Sequence, residues 1–112
     1  MSDHSDWDVV FERSERGGRP ALVVRGEIDL AVAGRFAQAL DSLVRDTEGA
    51  GFVDLSGVAF IDSSGVRELL KAKNAAANAG GQLSLLTPSA SCRKVLEISG
   101  VLSEFTVLEA LP

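Results

Sequence analysis

The chain has one cysteine, one histidine, one tryptophan and no tyrosine. The lone cysteine, Cys92, rules out an internal disulfide and any zinc site built on several thiolates. Such sparing use of cysteine fits a reducing cytoplasm. The lone histidine, His4, stands in a polar N-terminal stretch and leaves the interior with no imidazole base for a serine nucleophile. Positive charge is in deficit: 11 Lys and Arg face 16 Asp and Glu, a net charge of -5. A nucleic-acid binder draws its affinity from cations that neutralise phosphates, so this balance argues against one. It argues equally against docking on an anionic membrane surface. No apolar run is long enough to cross a membrane. The opening "MSDHSDWDVV" has neither a basic n-region nor an apolar h-region, so no signal peptide is expected. Walker loops, G-x-G-x-x-G and the G-x-S-x-G nucleophile elbow are all missing. No catalytic, cofactor-binding or metal-binding residue is expected on these grounds.

What remains is an ordinary globular composition. Apolar residues make up 46% of 112, enough for one domain with its own core. Residues 1–6 read as a flexible tail and 7–112 as the domain. "WDVVFERS" (Trp7 to Ser14) and "ALVVRG" (Ala21 to Gly26) read as strands, joined by the turn residues of "ERGGRP" into a hairpin. Trp7 is expected to anchor the first of them. Val32, Phe36, Ala39, Leu40, Leu43 and Val44 recur at helical spacing, with Asp29 placed to cap that helix. "FVDLSG" (Phe52 to Gly57) is a short buried strand. Phe60 and Ile61 are expected to pack into the core ahead of a second helix. Its apolar face is expected at Val66, Leu69, Leu70, Lys73 and Ala77, and it stops at Gly80 and Gly81. "QLSLL" (Gln82 to Leu86) is a strand. Thr87 followed by Pro88 reads as an N-cap with proline in the first turn. Cys92, Val95, Leu96 and Ser99 mark the third helix, and Phe105 to Leu111 the last strand. The order β-β-α-β-α-β-α-β predicts an α/β fold with a mixed, mostly parallel sheet.

One segment carries more polar chemistry than a cap requires. "FIDSSGV" places Asp62, Ser63 and Ser64 between a strand and a helix. All three are good N-cap types, but one cap accounts for one of them. A helix N-terminus tolerates added negative charge, because its free N–H groups and dipole stabilise anions. A phosphate on Ser63 or Ser64 would add about -1.5 to -2 charges near neutral pH and leave the fold intact. A serine nucleophile is disfavoured by the missing base. Further along, Arg67, Lys71, Asn74 and Asn78 share one helix face. Arg67 lies one turn from the two serines, where it can pair with a phosphate or with an acidic group on a partner.

Three stretches together, "GEIDLAVAGRFAQAL", "FVDLSGVAFIDSSGV" and "SCRKVLEISGVLSEFTV", resemble a STAS domain of the stand-alone bacterial anti-sigma-factor antagonist type. The likeness runs from about Val9 to Leu108. It implies a small sheet with helices packed mainly on one face, and a partner-switching role. The serine directly after the motif aspartate, here Ser63, is the family's phosphorylation site, with Ser64 the alternative. The unphosphorylated antagonist binds an anti-sigma factor, itself a serine kinase with a GHKL-type ATP fold, and frees a sigma factor. Phosphorylation releases the antagonist, and a metal-dependent serine phosphatase resets it. Asp29 matches the family's kinase-facing acidic residue, and Asp62, Ser64 and Gly65 the rest of the switch loop. With Arg67 these residues form the expected partner-contacting set. The implied protein is cytoplasmic, not an enzyme, and a monomer or weak homodimer. Where the family commonly has leucine and glycine after the motif, this chain has Val66 and Arg67. The family's final helix is expected to be very short or missing here. The other reading of the same likeness is a docking module, in a stress-signalling scaffold or a lipid-transport complex, without reversible phosphorylation.

Overall fold

The computed structural model describes residues 9–110. The expected tail over 1–6 and the anchoring role of Trp7 lie outside these residues. Among the described residues the strands are β1 (Val10–Arg16), β2 (Arg19–Ile28), β3 (Phe52–Ile61), β4 (Ser84–Leu86) and β5 (Thr106–Leu108). The helices are α1 (Leu30–Thr47), α2 (Ser63–Asn78) and α3 (Ala90–Ile98), and a 3-10 turn spans Leu102–Glu104. The element order is the expected one. The five strands stand in the sheet in chain order, β1-β2-β3-β4-β5. Only β1 and β2 are antiparallel. They close on Gly17 and Gly18, whose φ values of 60° and 79° suit the tight turn whose twist matches a hairpin.

Parallel neighbours need crossovers, and right-handed crossovers that always step the same way place every helix on the same face. The core bears this out. Leu22, Val24, Val53, Leu55 and Leu85 point from alternate strand positions into one cluster with Phe36, Leu40, Leu69, Cys92 and Leu96 from all three helices. On the opposite face the Arg19 guanidinium lies 5.6 Å from the centre of the Phe52 ring, and Arg16 pairs with the buried Asp54 at 3.4 Å.

Several local expectations change. In α2 the buried stripe is Gly65, Val66, Leu69, Ala72 and Ala76, with Leu70 and Lys73 only half-buried and Ala77 exposed. The reason is the neighbour: α2 packs on α1, and small residues let the two approach. Gly49, with φ of 85°, sits so close that a Cβ there would meet the Ala76 carbonyl oxygen at 2.5 Å. Strand β3 runs four residues beyond the expected end and carries two single-residue bulges opposite β2. Ile61 is fully buried, but Phe60 is 45% exposed. Adjacent strand residues point to opposite faces, so the two cannot both enter the core.

The cap of α3 is Ser89, whose hydroxyl accepts from Cys92 N at 3.1 Å. Thr87 is not the cap. It has φ of 48°, and its N–H donates to Leu108 O at 2.7 Å, so it is committed to the edge of β5. Ser99 is exposed at the far end of α3 and takes no part in its buried face. Strands β1, β4 and β5 are displaced or shorter at their ends, as hydrogen-bonded pairing rather than residue type decides where a strand stops.

Candidate functional site: the loops at the ends of β2 and β3

Ile28 and Ile61 are register partners at the C-terminal ends of the two longest parallel strands. Both are fully buried. The chain leaves the sheet there through Asp29 and Asp62, which start α1 and α2. The two exits are tied together, because Asp62 N donates to Ile28 O at 3.0 Å. Loops that follow the carboxyl ends of parallel strands are where open α/β sheets present their functional groups.

The two aspartates behave differently. Asp62 Oδ1 accepts from Ser64 N at 2.9 Å and from Gly65 N at 3.3 Å. Its carbonyl oxygen takes Val66 N at 3.1 Å. Its side chain therefore satisfies two of the N–H groups that a helix start leaves free, and its carbonyl takes the first intrahelical bond. Asp29 stands at the N-cap position of α1, but its side chain makes no cap hydrogen bond, contrary to expectation. Its backbone oxygen closes the first turn instead, accepting from Val32 N at 3.2 Å. Asp29 Oδ1 is buried and has no hydrogen-bond partner among the described residues. Buried polar atoms are nearly always paired, so this oxygen is an acceptor in want of a donor.

With the cap assigned to Asp62, the two hydroxyls are left over. Ser63 is the first residue of α2 and is exposed; Ser64 is half-buried. Neither hydroxyl has a hydrogen-bond partner among the described residues. Gly65 has a steric reason to be glycine. A Cβ there would lie 2.6 Å from Ile61 Cγ1 and 2.9 Å from Ile28 Cγ2, so the first turn of α2 rests directly on the paired isoleucines. Arg67 is exposed one turn along, on the face shared with Lys71, Asn74 and Asn78, and all four are exposed as expected. The structure thus brings Asp29, Asp62, Ser63, Ser64, Gly65 and Arg67 to one end of the sheet.

Two residues of this surface were missed from the sequence. Leu30 is 77% exposed beside Asp29, and Phe60 is exposed just ahead of Asp62. Leu30 had a readable signal: it falls two residues before Val32, far out of phase with the buried stripe of α1. An open depression of about 220 Å³ lies elsewhere, near Lys73, Gln82 and Glu104 at the other end of α2. Among the described residues no cluster of His, Cys, Asp and Glu is arranged to hold a metal ion. No helix there is long and apolar enough to cross a membrane.

A family model described as "Mlab, STAS domain" matches residues 11–108. The chain belongs to the STAS domain family. Its fold is similar to that of an anti-sigma factor antagonist from Mycobacterium paratuberculosis, with a TM-score of 0.79 and 24% identity over 92% of this chain and 87% of that one. It is also similar to the anti-sigma factor antagonist SpoIIAA in its unphosphorylated form, at TM-score 0.68 and 25% identity over 88% of this chain and 87% of that one. The phosphorylated form, from Bacillus, matches at TM-score 0.62 with 25% identity over 88% of this chain and 90% of that one. The same fold occurs as 17% of a murine anion transporter, Slc26a9, at TM-score 0.69 and 20% identity over 88% of this chain. Curated protein sequences gave no match. In this STAS domain the D-S-S-G motif begins at the register-locked end of β3, which fixes where its hydroxyls stand.

Proposed function

We propose that this STAS domain is an anti-sigma-factor antagonist: a binding protein, not an enzyme, switched by phosphorylation of Ser63. Unphosphorylated, it binds a GHKL-type anti-sigma serine kinase in the cytoplasm as a monomer or weak homodimer, and a sigma factor is freed. A serine phosphatase restores that state. The observation that carries this reading is the exposed hydroxyl of Ser63, without a hydrogen-bond partner among the described residues, at a helix start whose cap is already supplied by Asp62. Ser64, half-buried, is the less accessible of the two. A fold relative solved in phosphorylated and unphosphorylated forms supports a switch by phosphorylation.

The switch needs no change of fold. Asp62 already occupies the N–H groups of Ser64 and Gly65, so a phosphate on Ser63 finds them taken and a carboxylate beside it. Brought into an interface unpaired, such a dianion costs several kcal/mol. Each 1.4 kcal/mol is about tenfold in affinity, so one phosphate weakens binding by about a thousandfold. Leu30 and Phe60, both exposed beside the loop, supply apolar contact for the kinase.

The second reading is a docking module of a lipid-transport complex or signalling scaffold, and the Mlab description of the matching family favours it. Intact-mass measurement after incubation with the host's candidate kinases and ATP separates the two. One added phosphate, mapped to Ser63 and abolished by Ser63→Ala, supports the switch. A phosphate on Ser64 alone moves the site. No phosphate with any kinase gives the docking module the lead.

A further inference from the structure

Arg67 is a strong cation with no hydrogen bond or ion pair among the described residues. It lies four residues after Ser63 on the same helix, and both are exposed. Helix positions four apart bring Cβ atoms to about 5–6 Å, well within the reach of a guanidinium and a phosphorylated serine. The other charges around the loop include the exposed Glu27, register partner of Phe60. Asp62 is engaged with the helix N–H groups. Glu68 pairs with Lys71 at 3.8 Å. Asp29, at the end of β2, is a further nearby carboxylate. A phosphate on Ser63 therefore meets the filled N–H groups of Ser64 and Gly65, the carboxylates of Asp62, Asp29 and Glu27, and the unengaged guanidinium of Arg67.

We propose that Arg67 is an intramolecular clamp for the phosphate on Ser63. The clamp rests on the switch reading above and adds a regulatory residue to it. The anion is held by a side chain, through the planar fork that suits a phosphate, and not by the helix start. The clamp fixes the direction in which the phosphate points. It also favours the dianion over the monoanion, whose interconversion lies near pH 6 for a free phosphoserine. With Arg67 in place the phosphorylated form thus keeps more of its second charge on mild acidification than it would without it.

The test uses the full chain with phosphoserine installed at position 63 by semisynthesis, so that it does not depend on any kinase recognising Ser63. The phosphorus NMR shift is followed against pH. The expected apparent pKa of the phosphate is lower in the parent protein than in Arg67→Leu by roughly half a unit, the scale of an exposed ion pair. The gap narrows at high salt, and Arg67→Lys keeps part of it. Lys71→Leu removes the same charge from the next turn and leaves the phosphate pKa nearly unchanged. Equal phosphate pKa values in the parent and in Arg67→Leu, or an equal shift from Lys71→Leu, overturn the clamp. Failure of every kinase to modify Ser63 would instead overturn the switch, and is read in the separate mass measurement.

Discussion

Replacing Gly65 by alanine tests whether the switch loop is seated on the core as described. In the middle of an exposed helix this change stabilises by about 1 kcal/mol, because alanine is the better helix former. Here the added methyl would stand 2.6 Å from Ile61 Cγ1, 2.9 Å from Ile61 Cδ1 and 2.9 Å from Ile28 Cγ2. Both isoleucines are fully buried and are register partners, so neither has room to withdraw. Their branched side chains have few alternative rotamers. Overpacking of this kind costs about 1–3 kcal/mol. Set against the smaller gain in helix propensity at a first turn, the net expectation is a loss of about 1–2 kcal/mol. For a domain of this size that lowers Tm by roughly 4–12 °C. Urea denaturation followed by circular dichroism reads the change directly, as a lower midpoint with an unchanged slope. A Gly65→Ala protein as stable as the parent, or more so, would refute the contact between the first turn of α2 and the isoleucine pair.

Asp62→Ala removes the acceptor of two helix N–H groups and is expected to cost about 0.5–2 kcal/mol, read in the same denaturation experiment. The matching change at Asp29, which makes no cap hydrogen bond, is expected to cost less than that, or to stabilise by removing a buried unpaired oxygen. Burial pushes the Cys92 thiol up to about 11 from 9.0, with Arg93 working weakly in the other direction. The folded state therefore holds a proton that the unfolded state releases above pH 9. The associated stability is whole below about pH 9 and is lost as pH rises toward 11, a change of about 2–3 kcal/mol. With no tyrosine to titrate in that window, urea midpoints at about pH 8.5 and about pH 10.5 for the parent and Cys92→Ala isolate the effect. A gap between the two proteins that stays constant with pH would contradict it.

Hydrophobic periodicity made the order of strands and helices legible, because each element buries one face and repeats with its own period. Residues whose placement depends on a neighbour were harder. Ala72 and Ala76 of α2 carry little apolar weight in a count, yet they are buried because α1 must come close. Leu70 weighs more and is only half-buried. Phe60 looks like a core residue until the bulges of β3 are known, since these decide which of Phe60 and Ile61 faces inward. The cap at Ser89 was hidden behind the Thr87-Pro88 pair. The residue before a proline is driven out of the helical region, and here Thr87 goes to a left-handed conformation bonded to β5. The switch loop was legible as a motif, with its three polar residues in a row. That Asp62 caps while Asp29 does not follows only from how β2 and β3 deliver the two aspartates.

The strand order β1-β2-β3-β4-β5 has a consequence in time as well as in space. No strand has to be slid between two that are already paired, and every crossover joins immediate neighbours. Loop closures stay short, the arrangement that favours rapid folding among parallel sheets. Closing the single pair β2-β3 aligns Ile28 with Ile61 and so builds the seat on which Ser63 stands. Strands β4 and β5 then add only at the free edge. An assembly route is thus available in which the candidate site takes its shape before the last strands of the chain have docked.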